Sequence, residues 1–110
     1  MEQTIFYLPN KRRKFEKINY SDIIYLEGCI NYTLIHLKDG QVRISPRTLL
    51  YHIQRSLNES FIRIHRAFCI NKIYLENYDA IQTPQYLHLQ GGIRLAVSRR
   101  KRKVLDEFIF

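Results

Sequence analysis

Short apolar segments separated by turns make up most of the chain, and several of them alternate apolar and polar residues as β-strands do. The segment from Tyr32 to Lys38 is followed by an Asp-Gly dipeptide at 39–40 and a second segment over 41–45. Together these predict a β-hairpin. A Gly-Gly dipeptide at 91–92 predicts another hairpin. Extended segments are predicted at 4–8, 15–18, 23–27, 61–70, 85–90 and 93–97.

Two segments have helical periodicity instead. After Pro46, apolar residues recur every three or four positions, which predicts a helix over about residues 47–58. Its apolar stripe consists of Leu49, Leu50, Ile53 and Leu57. Ser98 is placed to cap a second helix over about residues 98–108. The apolar face of that helix consists of Val104, Leu105, Phe108 and Ile109. Strands predominate, so the predicted fold class is mainly β.

A single domain, residues 1–110, is expected, because no Pro-, Gly- or Ser-rich linker divides a chain of this length. The longest apolar runs have four residues, whereas a membrane-spanning helix needs roughly 20. The N-terminus lacks the apolar stretch of a secretory signal, so the expected location is the cytoplasm. Cys29 and Cys69 lie in apolar segments, which favours buried, reduced thiols over a disulfide.

Positive charge is the most informative feature of the composition. The chain has 18 Lys and Arg against 10 Asp and Glu, a net charge of +8, which indicates a polyanionic partner. The cations concentrate in two clusters, within Lys11 to Lys17 and within Arg94 to Lys103. A run of like charge is often only a solvated surface, and for the first cluster that alternative stays open.

The second cluster crowds the predicted N-terminal end of the last helix. Positive charge there opposes the helix dipole and costs about a few tenths of a kcal/mol per residue, so local stability does not explain it. Free backbone amides, a capping Ser98 and cationic side chains together suit a bound phosphate. The alternative is a solvated helix end whose charges are not optimised for stability.

The central segment interleaves cations with apolar residues. In a strand, this alternation places Arg63 and His65 on one face and Arg66 on the other until the chain turns. An arginine beside core residues needs a partner. Two interpretations remain at this point: an ion pair with an acidic residue such as Glu27 or Glu76, or projection toward an external acceptor such as a guanine edge.

Several segments together resemble the LytTR family of bacterial DNA-binding domains, over about residues 5–109. The most specific of them is Phe-Ile-Arg-Ile-His-Arg at 61–66, followed by Asn71. The others are the strand Ile23 to Glu27, Asn31-Tyr32, the helix start at Thr48-Leu49, and Val97 to Arg100. The resemblance implies an elongated stack of small antiparallel β-sheets with short flanking helices. Such a domain enters successive major grooves of duplex DNA with loops and has no recognition helix.

The resemblance also implies which residues contact DNA. The base-contacting positions of the family fall on Asn31 or its neighbour Tyr32, on Arg66 and on Arg99. Each arginine can fork onto O6 and N7 of a guanine, and the asparagine can pair with an adenine, at roughly 1–3 kcal/mol of discrimination per contact. Contacts to the DNA backbone, which position the domain without reading its sequence, are expected from Arg63, Lys72, Ser98, Arg100 and Lys101.

Two features depart from the family pattern. Ala67 stands where a small polar residue is common, so a hydroxyl contact from this position to phosphate is not expected. Many family members are response regulators that join this domain to a phosphorylated receiver domain, for which 110 residues leave no room. The chain is therefore a free-standing regulator or a fragment of a longer protein, and Met1 with an early first strand favours the free-standing form.

The leading hypothesis is a transcriptional regulator that binds specific duplex DNA on two repeated half-sites, with a homodimer able to form on the DNA. The alternative is an RNA-binding or non-specific nucleic-acid module, because the charge, eight Tyr and six Phe also suit stacking on single strands. No catalytic set, Gly-rich phosphate loop or metal-ligand cluster is recognisable, so enzyme activity, a cofactor, a metal and a small-molecule substrate are not expected. A membrane partner is not expected either, because the last helix has too few apolar residues.

Overall fold

Ten short β-strands organise the part of the chain that the structure describes. In this computed structural model the described residues are 4–9, 14–79, 85–102 and 105. The strands are β1 (Ile5–Pro9), β2 (Phe15–Asn19), β3 (Ile23–Gly28), β4 (Thr33–Leu37), β5 (Val42–Ser45), β6 (Phe61–His65), β7 (Phe68–Asn71), β8 (Leu75–Asp79), β9 (Tyr86–Leu89) and β10 (Ile93–Ala96). Short 3-10 turns, Tyr20–Asp22 and Lys72–Tyr74, precede β3 and β8.

The strands form three sheets, and every pairing is antiparallel. The central sheet has five strands in the order β5-β4-β3-β7-β6. A two-stranded sheet, β1-β2, and a three-stranded sheet, β10-β9-β8, accompany it. The molecule measures 47 × 27 × 27 Å along its principal axes. The prediction of a mainly β, elongated stack of small antiparallel sheets is thereby confirmed.

Two α-helices flank the sheets, as predicted. The first, α1, spans Leu49–Arg55, and the second, α2, is described at residues 99–102 and 105. Thr48 and Ser98 cap them, each through a side-chain oxygen that accepts a backbone amide of the first turn. The rest of the predicted 98–108 helix, with Val104, Phe108 and Ile109, lies outside the described residues.

The prediction for α1 was partly wrong. The helix is shorter than 47–58, because the amides of Ser56 and Leu57 both bind the carbonyl of His52 and so end the regular hydrogen-bond pattern. Leu50, assigned to the apolar stripe, is 50% exposed. The predicted extended segment 61–70 is also two strands, β6 and β7, joined by a tight turn at residues 66–67.

Two hydrophobic cores lie on opposite faces of the central sheet. Successive residues of a strand point to opposite faces, so Ile23 and Ile24 of β3 enter different cores. This explains why β3 is an uninterrupted apolar run in the sequence. The first core consists of Phe6, Leu8, Ile18, Tyr20, Ile23, Leu26, Ile35, Leu37, Leu49 and Cys69. The second consists of Ile24, Ile62, Ile64, Ile70, Leu87, Leu89, Leu95, Val97 and Leu105.

Both cysteines are free thiols. Cys69 is buried, as predicted, and burial raises the pKa of its thiol to about 12. Cys29 is only half-buried, because it lies in the loop that follows the end of β3. The prediction of two buried thiols therefore holds for Cys69 alone.

Buried Asn71, at the end of β7, connects the central sheet to the 3-10 turn that precedes β3. The side-chain amide of Asn71 donates to the carbonyls of Tyr20 and Ile23, both at 3.0 Å. Its side-chain oxygen accepts the amide of Ile73 at 3.3 Å and so caps the second 3-10 turn. The residue thus satisfies buried backbone groups in two segments that lie far apart in sequence.

A buried histidine, His52, fills the space between α1 and the central sheet. Its Nε2 lies 2.7 Å from Oγ of Ser45, and its Nδ1 lies 3.1 Å from Oγ of Ser56. The ring also packs against Phe6, with 5.2 Å between ring centroids. Burial, and secondarily the charge of Arg47, lowers the pKa of His52 to about 4. The ring is therefore neutral at physiological pH.

We expect His52 to make the fold acid-sensitive. Because its pKa is about 4 in the folded protein and about 6.5 in the unfolded chain, the unfolded chain binds more protons between these values. The contribution of neutral His52 to the free energy of unfolding is complete above pH 6.5. It is lost as the pH falls toward 4, which lowers the stability by up to about 3 kcal/mol.

The measurement is the free energy of unfolding by urea between pH 4 and 7, for the wild type and His52→Gln. The stability difference between the two proteins should shrink as the pH falls through this window. The variant His88→Gln, changed on β9, is the matched control for the loss of one histidine. A His52→Gln variant with an unaltered acid dependence would refute this role.

Candidate nucleic-acid interface

The turn between β6 and β7 presents Arg66 to solvent. Three hydrogen bonds within the hairpin shape this turn. Nε of Arg63 donates to the carbonyl of His65 at 3.3 Å, and Nη2 of Arg63 donates to the carbonyl of Arg66 at 2.7 Å. Nδ1 of His65 accepts the amide of Ala67 at 3.0 Å. Arg63 therefore bonds to backbone carbonyls, neither to Glu27 nor to Glu76; Glu27 instead contacts Nε2 of His36 at 3.1 Å.

The loop between β3 and β4 adjoins this turn. The amide of Gly28, the last residue of β3, donates to the carbonyl of Ala67 at 2.7 Å. The loop then closes on itself, because the amide of Cys29 donates to the carbonyl of Tyr32 at 2.9 Å. Asn31 and Tyr32 are both exposed. The loop that carries them is thus fastened to the turn that carries Arg66.

The start of α2 reaches the same end of the sheet. The amide of Ser98 donates to the carbonyl of Ile64 at 2.9 Å, which ties the chain just before α2 to the end of β6. Oγ of Ser98 accepts the amide of Lys101 at 3.3 Å, so the helix begins directly beyond this contact. Arg99 and Arg100 follow on the exposed surface.

The β6–β7 hairpin and the start of α2 form a basic groove of about 580 Å³. Its described lining consists of Arg63, Arg66, Ser98, Arg99, Arg100 and Lys101. Five of these six residues carry a positive charge, and none carries a negative one. Like charges that converge on a concave surface raise the local concentration of anions and attract polyanions. The geometry therefore favours an anionic ligand with several phosphate groups.

Comparison with known proteins identifies the fold. The model of the LytTr DNA-binding domain family matches residues 13–110. The chain belongs to the LytTR family. A solved LytTr DNA-binding domain from Bacillus cereus superposes with a TM-score of 0.79 over 97% of each chain, at 18% sequence identity. At that identity the likeness establishes the fold alone. No curated protein matches the chain.

The LytTR fold brings most of the predicted contact residues together. Arg66 and Arg99, predicted to contact bases, line the basic groove with four residues predicted to contact the DNA backbone. Asn31 and Tyr32 lie on the adjoining loop. Lys72 is the exception, because it follows the opposite end of β7, where its amide donates to the carbonyl of Ser60 at 2.8 Å.

Two features of this LytTR domain were missed in the sequence. Ile30, at the tip of the β3–β4 loop, is 93% exposed. The sequence pattern that could have indicated it is an isolated apolar residue beside Asn31 in a turn. The second feature is a stack of Tyr25 on His36, with 4.1 Å between ring centroids. Tyr25 and His36 are paired across β3 and β4, and this pairing produces the stack. Predicting the stack therefore requires the register of these two strands.

The described residues of this LytTR domain contain neither a recognisable metal centre nor a membrane-spanning helix. Among those residues, no group of three or more His, Cys, Asp or Glu side chains is arranged to hold a metal ion. Within the same ranges, no helix has the length and apolar character needed to cross a bilayer.

We expect the substitution Gly28→Ala to disturb the β3–β4 loop. A Cβ atom at this position would lie 2.9 Å from Cβ of Leu49 in α1, which is closer than van der Waals contact allows. The strand or the helix must shift, at about 1–3 kcal/mol. Urea unfolding measures the loss. The control Asn31→Ala, in the same loop but exposed, should change stability by less than about 0.5 kcal/mol. Equal stability of Gly28→Ala and wild type would contradict the close packing.

Proposed function

We propose that this LytTR domain binds duplex DNA at specific sequences and regulates transcription. DNA binding is the function of the family to which the chain belongs. The observation that carries the sequence-specific part is the convergence of Arg66, Arg99 and three further cations on one groove. Arg66 projects from the β6–β7 turn and Arg99 from the start of α2, so loop and helix-start residues rather than the face of a recognition helix would enter the major groove.

The exposed loop residues have the chemistry of base readout. Arg66 and Arg99 each present a planar fork of donors that matches O6 and N7 of guanine in the major groove. Asn31 can bond N6 and N7 of adenine, with Tyr32 beside it at the duplex. Ile30, also exposed on this loop, can contact a thymine methyl group.

The remaining groove residues fit the DNA backbone. Arg100 and Lys101 place charge next to the base-reading Arg99, where a phosphate of the same strand would lie. Ser98, which caps the start of α2, also lines the groove, and a helix start is a favourable position for phosphate oxygens. Arg63 also lines the groove, but its guanidinium donates to two backbone carbonyls of the β6–β7 turn, so its charge strengthens the positive field of the groove without a direct phosphate contact. Lys72 stays a prediction of a more distant phosphate contact.

Two such domains would bind repeated half-sites and meet as a homodimer on the DNA. Half-sites one helical turn apart are separated by about 34–36 Å, and the molecule is 27 Å across its shorter axes. Neighbouring domains whose short axes lie along the duplex can therefore bind such half-sites side by side. A promoter is the proposed target, so the domain would act in the cytoplasm.

The matched pair Arg99→Ala and Arg100→Ala separates base readout from backbone contact. Both residues are exposed neighbours in one helical turn. Arg99→Ala, like Arg66→Ala, should relax the preference at particular base pairs by about 5- to 100-fold. Arg100→Ala should weaken binding to all sequences alike and reduce the salt dependence by about one phosphate.

The measurement is selection of sites by each variant from a randomised duplex pool, followed by affinities for selected and random duplexes at two salt concentrations. Identical behaviour of Arg99→Ala and Arg100→Ala on both kinds of duplex would overturn base readout by Arg99. Single-stranded RNA serves as competitor in the same assay. If RNA displaces the protein more effectively than the selected duplex, the domain is an RNA-binding module instead.

A further inference from the structure

We infer that Arg63 and His65 are positioning residues that hold the backbone of the β6–β7 turn, and thereby the side chain of Arg66, in its DNA-reading orientation. This inference rests on the proposed function of Arg66. It assigns Arg63 a role other than the phosphate contact expected from the sequence. The two roles differ in what they require of the side chain, because a phosphate needs positive charge and the turn needs a fork of donors.

The β6 strand contains a bulge two residues before the turn. Arg63 lies opposite Cys69 and His65 lies opposite Phe68, so Ile64 is an extra residue without a partner in the register. A bulge disrupts the ladder of backbone hydrogen bonds at this point and bends the strand. The turn that follows therefore depends on side chains for some of its hydrogen bonds.

Arg63 supplies two of these bonds. Its Nε and Nη2 reach two successive carbonyls, those of His65 and Arg66, at 3.3 and 2.7 Å. A guanidinium is planar and holds its donors at fixed angles, so the two bonds fix the relative orientation of the two peptide groups. One of these peptides belongs to Arg66 itself. The conformation from which the Arg66 side chain projects is thus set by Arg63.

His65 supplies the complementary acceptor. Its Nδ1 accepts the amide of Ala67 at 3.0 Å, and its ring packs against Phe68 with 5.5 Å between centroids. The carbonyl of Ala67 in turn accepts the amide of Gly28. The backbone of the turn is therefore bonded on both sides of Arg66. Among the described residues, none is a hydrogen-bond partner of the exposed Arg66 side chain, which leaves that side chain available for a base.

The variant Arg63→Lys keeps the positive charge and removes the planar guanidinium with its two N–H donors. Selection from a randomised duplex pool first identifies the base pair whose preference is lost in Arg66→Ala. At that base pair, Arg63→Lys should lose about fivefold or more of the wild-type preference. Its affinity for random duplex should stay within about twofold of the wild type, because the charge is retained. In the Arg66→Ala background, Arg63→Lys should cause no further change in preference.

The control is Arg43→Lys. Arg43 is also half-buried and also donates through Nε, to the carboxylate of Glu16 at 3.1 Å on another part of the molecule. The same substitution there should leave base preference unaltered. A second variant, His65→Phe, keeps a ring against Phe68 and removes the acceptor for the Ala67 amide. It should relax the same base pair as Arg63→Lys, and thermal unfolding verifies that each variant is folded.

The outcomes distinguish this inference from the proposed function. If Arg66→Ala relaxes one base pair but neither Arg63→Lys nor His65→Phe does so, the positioning role is wrong and base readout by Arg66 stands. If Arg63→Lys weakens selected and random duplexes alike, Arg63 contacts phosphate directly and the inference is overturned. If Arg66→Ala relaxes no base pair, readout by Arg66 fails and the inference fails with it.

Discussion

The bulge at Ile64 is the constraint on which the basic surface of this domain depends. Because Ile64 has no partner in the register of β6 and β7, it interrupts regular strand pairing two residues before the turn. The carbonyl of Ile64 accepts the amide of Ser98, and this bond brings the start of α2 against β6. Beside the same irregularity, the carbonyls of His65 and Arg66 accept hydrogen bonds from Arg63. One extra residue thus couples the turn to the helix start.

This arrangement accounts for features that local stability does not explain. Cations at the N-terminal end of α2 oppose its dipole at about a few tenths of a kcal/mol each. The arrangement is understandable where a phosphate completes the site, because an anion interacts favourably with both the cations and the positive end of the helix dipole. The two cores pack against β3, β6 and β7 from both faces of the central sheet, and the loops at the ends of these strands carry the cationic residues.

Elements whose local sequence signals have a single physical interpretation could be predicted from the sequence. The Asp-Gly and Gly-Gly turns were correct because Gly40, Gly91 and Gly92 adopt positive φ angles that other residues avoid. The polar alternation of β4 and the cap residue Ser98 were also sufficient to predict their elements. The resemblance to the family then assigned the groove residues, which composition alone could not select.

The features that the sequence did not predict depend on tertiary contacts. Strand β8, with the sequence Leu-Glu-Asn-Tyr-Asp, lacks β-branched residues and is stabilised by pairing with β9. The burial of His52 depends on hydroxyl groups of Ser45 and Ser56 that only the folded chain places around it. For Arg63 the sequence left open an ion pair or an external acceptor, because a sequence does not show the backbone carbonyls that accept its hydrogen bonds beside the bulge.

Mapping of backbone amide chemical shifts by NMR, during titration with duplex DNA, tests the central claim most directly. The account predicts that the largest changes fall on three segments at one end of the central sheet: residues 28–32, 64–67 and 98–102. Amides of β8, β9 and β10 outside these segments should change little. Changes concentrated on the β8–β10 sheet, or on the outer face of β1 and β2, with the three loop segments unaffected, would contradict the proposed interface.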